Sequence, residues 1–317
     1  MPMAPPSLPF LLAMAACLPK YSTQKPIEPA ELWAPLPVQH IAVDGVDIAY
    51  IDNGRSSAQP PLVFIHGLGG NFTHWEHVAP PLAESCRVIG IDLPGCGDSV
   101  KDVPCTIRLY AESVVRLLDE LGIPQATLVG HSLGGMVCAE AALEFPSRVR
   151  RLVLMDAAGF FRYPRFARAG SRVLFQPWLF GPIMQRFALM LLDNCFHERN
   201  ARVLRFIGQA EGRPPQPTIR ELAVMSNSLR ADLVGRHYLD DLHRLTQPAL
   251  VIWGDEDRLI PFKDVPSWAH RLPNARLEVI RGCGHLPLIE RPDEVVASLR
   301  TFVAAAEAAP LRRTASA

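Results

Sequence analysis

Three short stretches of this chain carry residue types that can do chemistry together. In Gly130-His131-Ser132-Leu133-Gly134-Gly135, a serine stands between glycines two residues away on either side. An apolar, β-branched run from Ala126 to Val129 precedes it, and a segment rich in Ala, Leu and Glu, Met136 to Phe145, follows. The pattern reads strand, tight turn, helix, the context in which a serine hydroxyl is lifted clear of a sheet as a nucleophile. Side chains two residues to either side of so sharp a turn would meet the neighbouring strand and helix, and glycine has no Cβ to clash. The N–H groups at the start of the following helix point where a carbonyl oxygen would turn into an anion. A serine hydroxyl needs a base to take its proton, and the base needs a carboxylate to fix its tautomer. Two later stretches offer these groups. The strand Ala249 to Trp253 runs into Gly254-Asp255-Glu256-Asp257-Arg258-Leu259-Ile260-Pro261, and the last strand runs into Gly282-Cys283-Gly284-His285. Ser132 is the expected nucleophile, His285 the base and Asp257 its orienter, in the chain order Ser, Asp, His.

The elements that must position these residues follow from the pattern of apolar runs. Residues 39–43 and 46–51 form a hairpin around Asp44-Gly45. The continuous apolar run at 61–65 reads as a strand buried on both faces and 87–91 as a second buried strand, with further strands expected at 126–129, 149–155, 249–253 and 276–280. Helical spacing is found at 107–121, 265–271 and 292–306. Strands alternating with helices predict an α/β fold with a doubly wound, mainly parallel sheet. The alternation breaks after Ala157: residues 159–245 show amphipathic helical stretches punctuated by prolines and no clear strand. The expected organisation is an arm at 1–37, a core formed by 38–158 and 246–306, a helical cap inserted at 159–245, and a tail at 307–317. Ligands of open α/β sheets bind at the carboxyl ends of the strands, so a cap placed there would wall the site.

Composition narrows the function classes. A chain of 317 residues that is 49% hydrophobic can bury a large core. Its formal net charge of zero gives no electrostatic case for nucleic acid. The seven cysteines are odd in number, scattered and without metal-ligand spacing, which implies a reduced compartment and no structural metal. Residues 8–18 are an apolar run too short to span a bilayer and without a preceding basic residue. A cytoplasmic location is the primary expectation, with export or membrane association through that run as the alternative.

Taken together, the motifs resemble those of α/β-hydrolase-fold enzymes, specifically serine esterases and lipases with a helical cap, over roughly Val38 to Ala306. The resemblance implies further roles. His66-Gly67-Leu68-Gly69-Gly70 follows the third strand, and the backbone N–H groups of Leu68 and Leu133 would form the oxyanion hole. The family pattern W-G-x-x-D-R-x-x-P matches Trp253, Gly254, Asp257, Arg258 and Pro261, which favours Asp257 as the acid over Asp255. Asp156, past the strand where some relatives keep their acid, is the second choice. His66 and His131 are expected to be structural, His74 and His77 to sit on a surface helix, Arg258 and Glu290 to hold loops by ion pairing, and Cys283 to fill space.

A serine nucleophile excludes relatives that need an aspartate at that position. Carbon–carbon hydrolases of ring-fission products usually carry Asn before the serine and Trp after the histidine, whereas this chain has His131 and Leu286. Hydrolysis of a carboxylic ester through an acyl-enzyme is therefore the expected activity; carbon–carbon hydrolysis, acyl transfer and a non-turnover ligand sensor are the alternatives. The chemistry needs no metal and no organic cofactor. The first half of the cap is apolar and aromatic, and the cap carries arginines but no lysine. The expected partner is a small-molecule or lipid-like ester, with contact to an anionic membrane surface as a further expectation.

Overall fold

The computed structural model describes residues 36–43, 45–101, 103–211 and 215–305. The apolar run at 8–18 and the tail at 307–317 lie outside them, so the expectations placed there are not addressed by it. Eight strands form one sheet: β1 (Gln39–Val43), β2 (Val46–Asp52), β3 (Leu62–Ile65), β4 (Val88–Ile91), β5 (Ala126–His131), β6 (Val149–Met155), β7 (Ala249–Gly254) and β8 (Ala275–Ile280). Their spatial order is β1-β2-β4-β3-β5-β6-β7-β8. The β1–β2 and β2–β4 pairs are antiparallel and every other pair is parallel. The hairpin turns at Gly45, which takes the left-handed φ of 82° that a tight turn requires.

Strands β3, β4, β5 and β7 are buried along their whole length because both faces are covered. Alternation along β3 shows how: Val63 and Ile65 enter one core, Leu62 and Phe64 the other. The first core is closed by α2 (Ile107–Glu120), α3 (Leu133–Glu144) and α8 (Val265–Ala269), and the second by α1 (Ala79–Ala83) and α10 (Pro292–Ala305). Helix α2 begins where the hydroxyl of Thr106 accepts from the N–H of Leu109 at 3.0 Å, and the chain leaves it through Gly122 at φ 64°.

Four helices lie between β6 and β7: α4 (Arg165–Leu174), α5 (Pro177–Asn194), α6 (Ala201–Glu211) and α7 (Pro215–Gly235). No strand occurs among the described residues of this segment. Proline opens α5 and α7, where its missing N–H costs nothing. Helix α7 is tied to the core: the carboxylate of Asp232 accepts from the N–H of Ile107 at 2.9 Å, and Ser228 donates to the carbonyl of Cys105 at 2.9 Å. Among the described residues, no helix is long and apolar enough to cross a membrane. A further helix, α9 (Pro287–Glu290), was not expected from the sequence; four residues are too few for a periodic signal. His74 and His77 are not on a surface helix: His74 lies in a single 3₁₀ turn, Phe72–Trp75, His77 follows it, and both are half-buried.

Candidate active site

Parallel strands pointing the same way bring the loops after β3, β4, β5, β6, β7 and β8 to one side of the sheet. Ser132 sits at the hinge between β5 and α3, half-buried, with φ 51° and ψ −114°. A non-glycine residue there is strained and persists only where its surroundings over-determine it. Its N–H donates to the carbonyl of Met155 at 2.9 Å, and its carbonyl accepts from Gly135 and Ala158 at 3.0 Å each. The flanking glycines are required by backbone, as the sequence suggests. A Cβ on Gly130 would lie 2.2 Å from the carbonyl oxygen of Gly134, and one on Gly134 would lie 2.2 Å from that of Ile65.

The loop after β3 runs alongside the serine. A Cβ built on Gly67 would come within 3.2 Å of the Ser132 Cβ, so Leu68, next in the chain and 38% exposed, belongs to the same corner. Leu133 is buried in the first turn of α3. His66 turns away from the serine: its Nδ1 bonds the carbonyl of Gly67 at 2.8 Å, and its Nε2 accepts from the N–H of Leu93 at 3.0 Å. It holds the loop, as expected.

His285 and Asp257 meet at 2.7 Å between Nδ1 and Oδ2, and both are buried. The other oxygen of Asp257 accepts from the N–H groups of Leu259 and Ile260 at 2.8 and 2.9 Å, which fixes the carboxylate plane. With the proton on Nδ1, Nε2 is the ring nitrogen left to accept one. The backbone of His285 is held as firmly: its N–H donates to the carbonyl of Cys195, at the end of α5, at 2.7 Å, and its carbonyl accepts from Nε2 of His131 at 2.7 Å. The two imidazoles are 4.9 Å apart. Burial, then the neighbouring His285, holds His131 well below the ordinary imidazole range, so it stays neutral.

Asp255 is excluded from this pairing by geometry. Its oxygens accept from the N–H of Gly282 at 2.7 Å and from Arg281 at 3.2 Å, which brace the β8 turn. Asp156 follows β6, is completely buried, and takes φ 43°. Its Oδ1 accepts from the N–H of Gly254 at 3.0 Å. Burial, and then the charge of Asp257, raises its carboxyl well above the usual carboxylate range.

Glu290 differs from its expected role. Among the described residues it makes no ion pair; its buried carboxylate accepts from the N–H groups of Glu198, Gly284 and His197 at 2.6, 2.9 and 3.3 Å. It thereby ties the residue before His285 to the turn between α5 and α6. An acid directly after the apolar stretch Leu286-Pro287-Leu288-Ile289 was the sequence signal for such a buried acceptor. Arg258 is exposed. Cys283 is fully buried and burial pushes its thiol up, so it fills space.

Asp156, Asp257 and His285 form the one cluster of metal-ligand type among the described residues. Both oxygens of Asp257 and Nδ1 of His285 are already engaged with N–H partners or with each other, so a cation would have to displace those bonds.

Comparison with known proteins agrees with this architecture. The family model for the alpha/beta hydrolase fold matches residues 60–292. The chain is 34% identical over 278 residues to a 2-hydroxymuconate semialdehyde hydrolase of a Pseudomonas species, covering 81% of this chain and 91% of that one. It is 33% identical over 254 residues to a pimeloyl-[acyl-carrier protein] methyl ester esterase of Photobacterium profundum, covering 76% and 94%. Among solved structures it is similar to a membrane phospholipase A described as a bacterial virulence factor. That match has a TM-score of 0.72 and 28% identity, over 87% of this chain and 88% of that chain. With its parallel sheet, strained elbow and matching family model, the chain belongs to the α/β-hydrolase fold family.

Proposed function

We propose that this chain is a serine hydrolase that cleaves a carboxylic ester with an apolar acyl or aromatic group. The observation that carries the reading is that a half-buried, left-handed Ser132 and the buried Asp257–His285 couple stand on loops at the same side of the parallel sheet. In this mechanism Nε2 of His285 takes the Ser132 proton as the hydroxyl attacks the ester carbonyl. The N–H groups of Leu68 and Leu133 stabilise the oxyanion. His285 then protonates the leaving alkoxide, water activated by the same imidazole releases the acid, and Asp257 stabilises the imidazolium. An esterase and a phospholipase among the relatives support an ester substrate.

The surface of the inserted helices supports a lipid-like substrate met at a membrane. From residue 158 to residue 192 the chain has five arginines and no acidic residue. Tyr163, Phe166, Val173, Leu174 and Trp178 are exposed in this stretch, beside exposed Arg162, Arg168 and Arg172. Aromatic rings with arginines among them suit the headgroup region of an anionic bilayer.

The 34% identity to a carbon–carbon hydrolase supports a second reading. His131 and Leu286 stand where such enzymes are expected to carry Asn and Trp. The deciding experiment is turnover of p-nitrophenyl esters from acetate to palmitate, beside a ring-fission dienoate, by the intact protein and by Ser132→Ala. Multiple ester turnovers that fall by about 10⁶ in the variant establish the esterase. Turnover of the dienoate alone establishes the carbon–carbon hydrolase. Product formed on an added alcohol in place of water identifies an acyltransferase.

A further inference from the structure

Only two described residues other than glycine have left-handed backbone: Ser132 and Asp156. The strain at Ser132 has a role in the proposed mechanism, whereas that at Asp156 has none so far. Its position is tightly determined. The N–H donates to the carbonyl of Ile252 at 3.0 Å, Oδ1 accepts from Gly254, and the side chain is completely enclosed. Oδ2 has no hydrogen-bond partner among the described residues. One atom each from Asp156, Asp257 and His285 lies within 4.8 Å of the other two. An ionised carboxylate with an orphaned oxygen, enclosed and facing a second carboxylate, is strongly disfavoured, whereas a carboxylic acid aimed at Asp257 satisfies the site. The other titratable groups that bear on it are consistent. Glu290 adds negative charge, and the buried thiol of Cys283 adds none.

Resting on the assignment of Asp257 and His285 above, we propose that Asp156 is a positioning residue that directs its O–H toward Asp257 and acts as a reserve acid behind it. When Asp257 is replaced by a neutral side chain, its charge no longer opposes ionisation of Asp156, whose proton passes to bulk water and whose carboxylate becomes the anion that holds Nδ1–H of His285. The geometry permits the exchange because both carboxyls reach the same ring from adjacent strand ends, β6 and β7.

The test uses Asp257→Asn, Asp156→Asn and the double variant of the full chain. Readouts are the rate of labelling by a fluorophosphonate, which needs only an activated serine, and its pH profile. Loss of the acid in a serine triad costs about 10⁴ in rate. Asp257→Asn is expected to lose only about 10- to 100-fold, with labelling rising toward alkaline pH as Asp156 ionises, and the double variant to fall to the full loss. Asp156→Asn alone, which keeps a donor in place, slows labelling by a few-fold. The infrared spectrum at neutral pH is expected to contain a protonated-carboxyl C=O band that disappears in Asp156→Asn. The proposal is overturned if Asp257→Asn is as slow as the double variant at every pH while both unfold cooperatively, or if the band is absent. A wild-type protein that does not label at all would sink the serine-hydrolase reading instead, and the infrared band would still decide the state of Asp156.

Discussion

His131 donates from Nε2 to the carbonyl oxygen of His285 across 2.7 Å, so the residue before the proposed nucleophile holds the backbone of the proposed base. Two loops 154 residues apart in sequence are thereby locked to one another. The bond needs only a neutral imidazole, because the partner is a carbonyl. Burial keeps it neutral, and that neutrality has a consequence for stability.

Because its folded-state pKa lies below the unfolded value, His131 takes up a proton in the unfolded chain before it does so in the folded one. Its contribution to stability is complete above the unfolded value near 6.5. It is lost as pH falls below that value, by up to about 1.4 kcal/mol per pH unit. His131→Gln retains a donor and removes the titration. Urea unfolding at pH 8 and pH 5.5 is expected to show the wild type losing about 1.4 kcal/mol more than the variant. Equal losses in the two proteins would refute a neutral, buried His131.

Gly130 tests the elbow itself. A methyl group there would sit 2.2 and 2.4 Å from the carbonyl oxygen and carbon of Gly134, and backbone cannot step aside as a side-chain end can. Gly130→Ala is expected to lose about 3 kcal/mol or more, or to fail to accumulate as soluble protein. Gly208 in α6 is the control, since an added Cβ meets nothing within 4 Å. Gly208→Ala should gain about 0.5 to 1 kcal/mol in thermal or urea unfolding. A Gly130→Ala protein as stable as wild type would mean that the elbow is looser than this geometry.

Much of this site is legible in the chain, and particular residues show why. Ser132 and Asp257 follow strongly apolar runs and His285 follows the more mixed run Arg276–Ile280, and a strand's end in a parallel sheet determines on which side its loop emerges. The turn at Gly45 and the arrest of α2 at Gly122 are local chemistry, readable without the rest of the fold. Glu290 was harder, because its three donors come from residues 6 and about 90 positions away, and only the folded chain assembles them. Asp156 could be named from its place after β6. The empty side of its carboxyl depends on how β6 and β7 pair.

Glu290 supplies a prediction of its own. Removing the carboxylate leaves the N–H groups of His197, Glu198 and Gly284 without their acceptor. Each such donor, when it stays buried, costs about 1 to 3 kcal/mol, and water reaching the 197–198 turn will recover part. Glu290→Ala is expected to lose about 3 kcal/mol of stability and to lower kcat by about 10-fold through the displaced His285, with KM little changed. Glu290→Gln keeps an acceptor oxygen and should restore most of both. Full activity in a folded Glu290→Ala protein would show that His285 is placed without this tether.

The exposed rings of the inserted helices give a prediction that is independent of the chemistry. Phe166 and Trp178 are 63% and 69% exposed, so replacing both with serine removes no core packing and should leave the unfolding midpoint where it was. If these rings enter a bilayer, each contributes about 1.5 to 3 kcal/mol of burial, and each arginine near an anionic surface adds about 1 kcal/mol. The wild type should then float with phosphatidylglycerol-containing vesicles and much less with pure phosphatidylcholine. Salt should weaken the association, since the electrostatic part is screened within about 8 Å at physiological ionic strength. Phe166→Ser/Trp178→Ser should reduce vesicle binding at least 10-fold while leaving turnover of a short, water-soluble ester unchanged. Equal flotation of both proteins would place any membrane attachment elsewhere in the chain, and no flotation of either would remove the bilayer as a partner of this surface. A fall in short-ester turnover together with flotation would mean that the rings serve the pocket rather than the membrane.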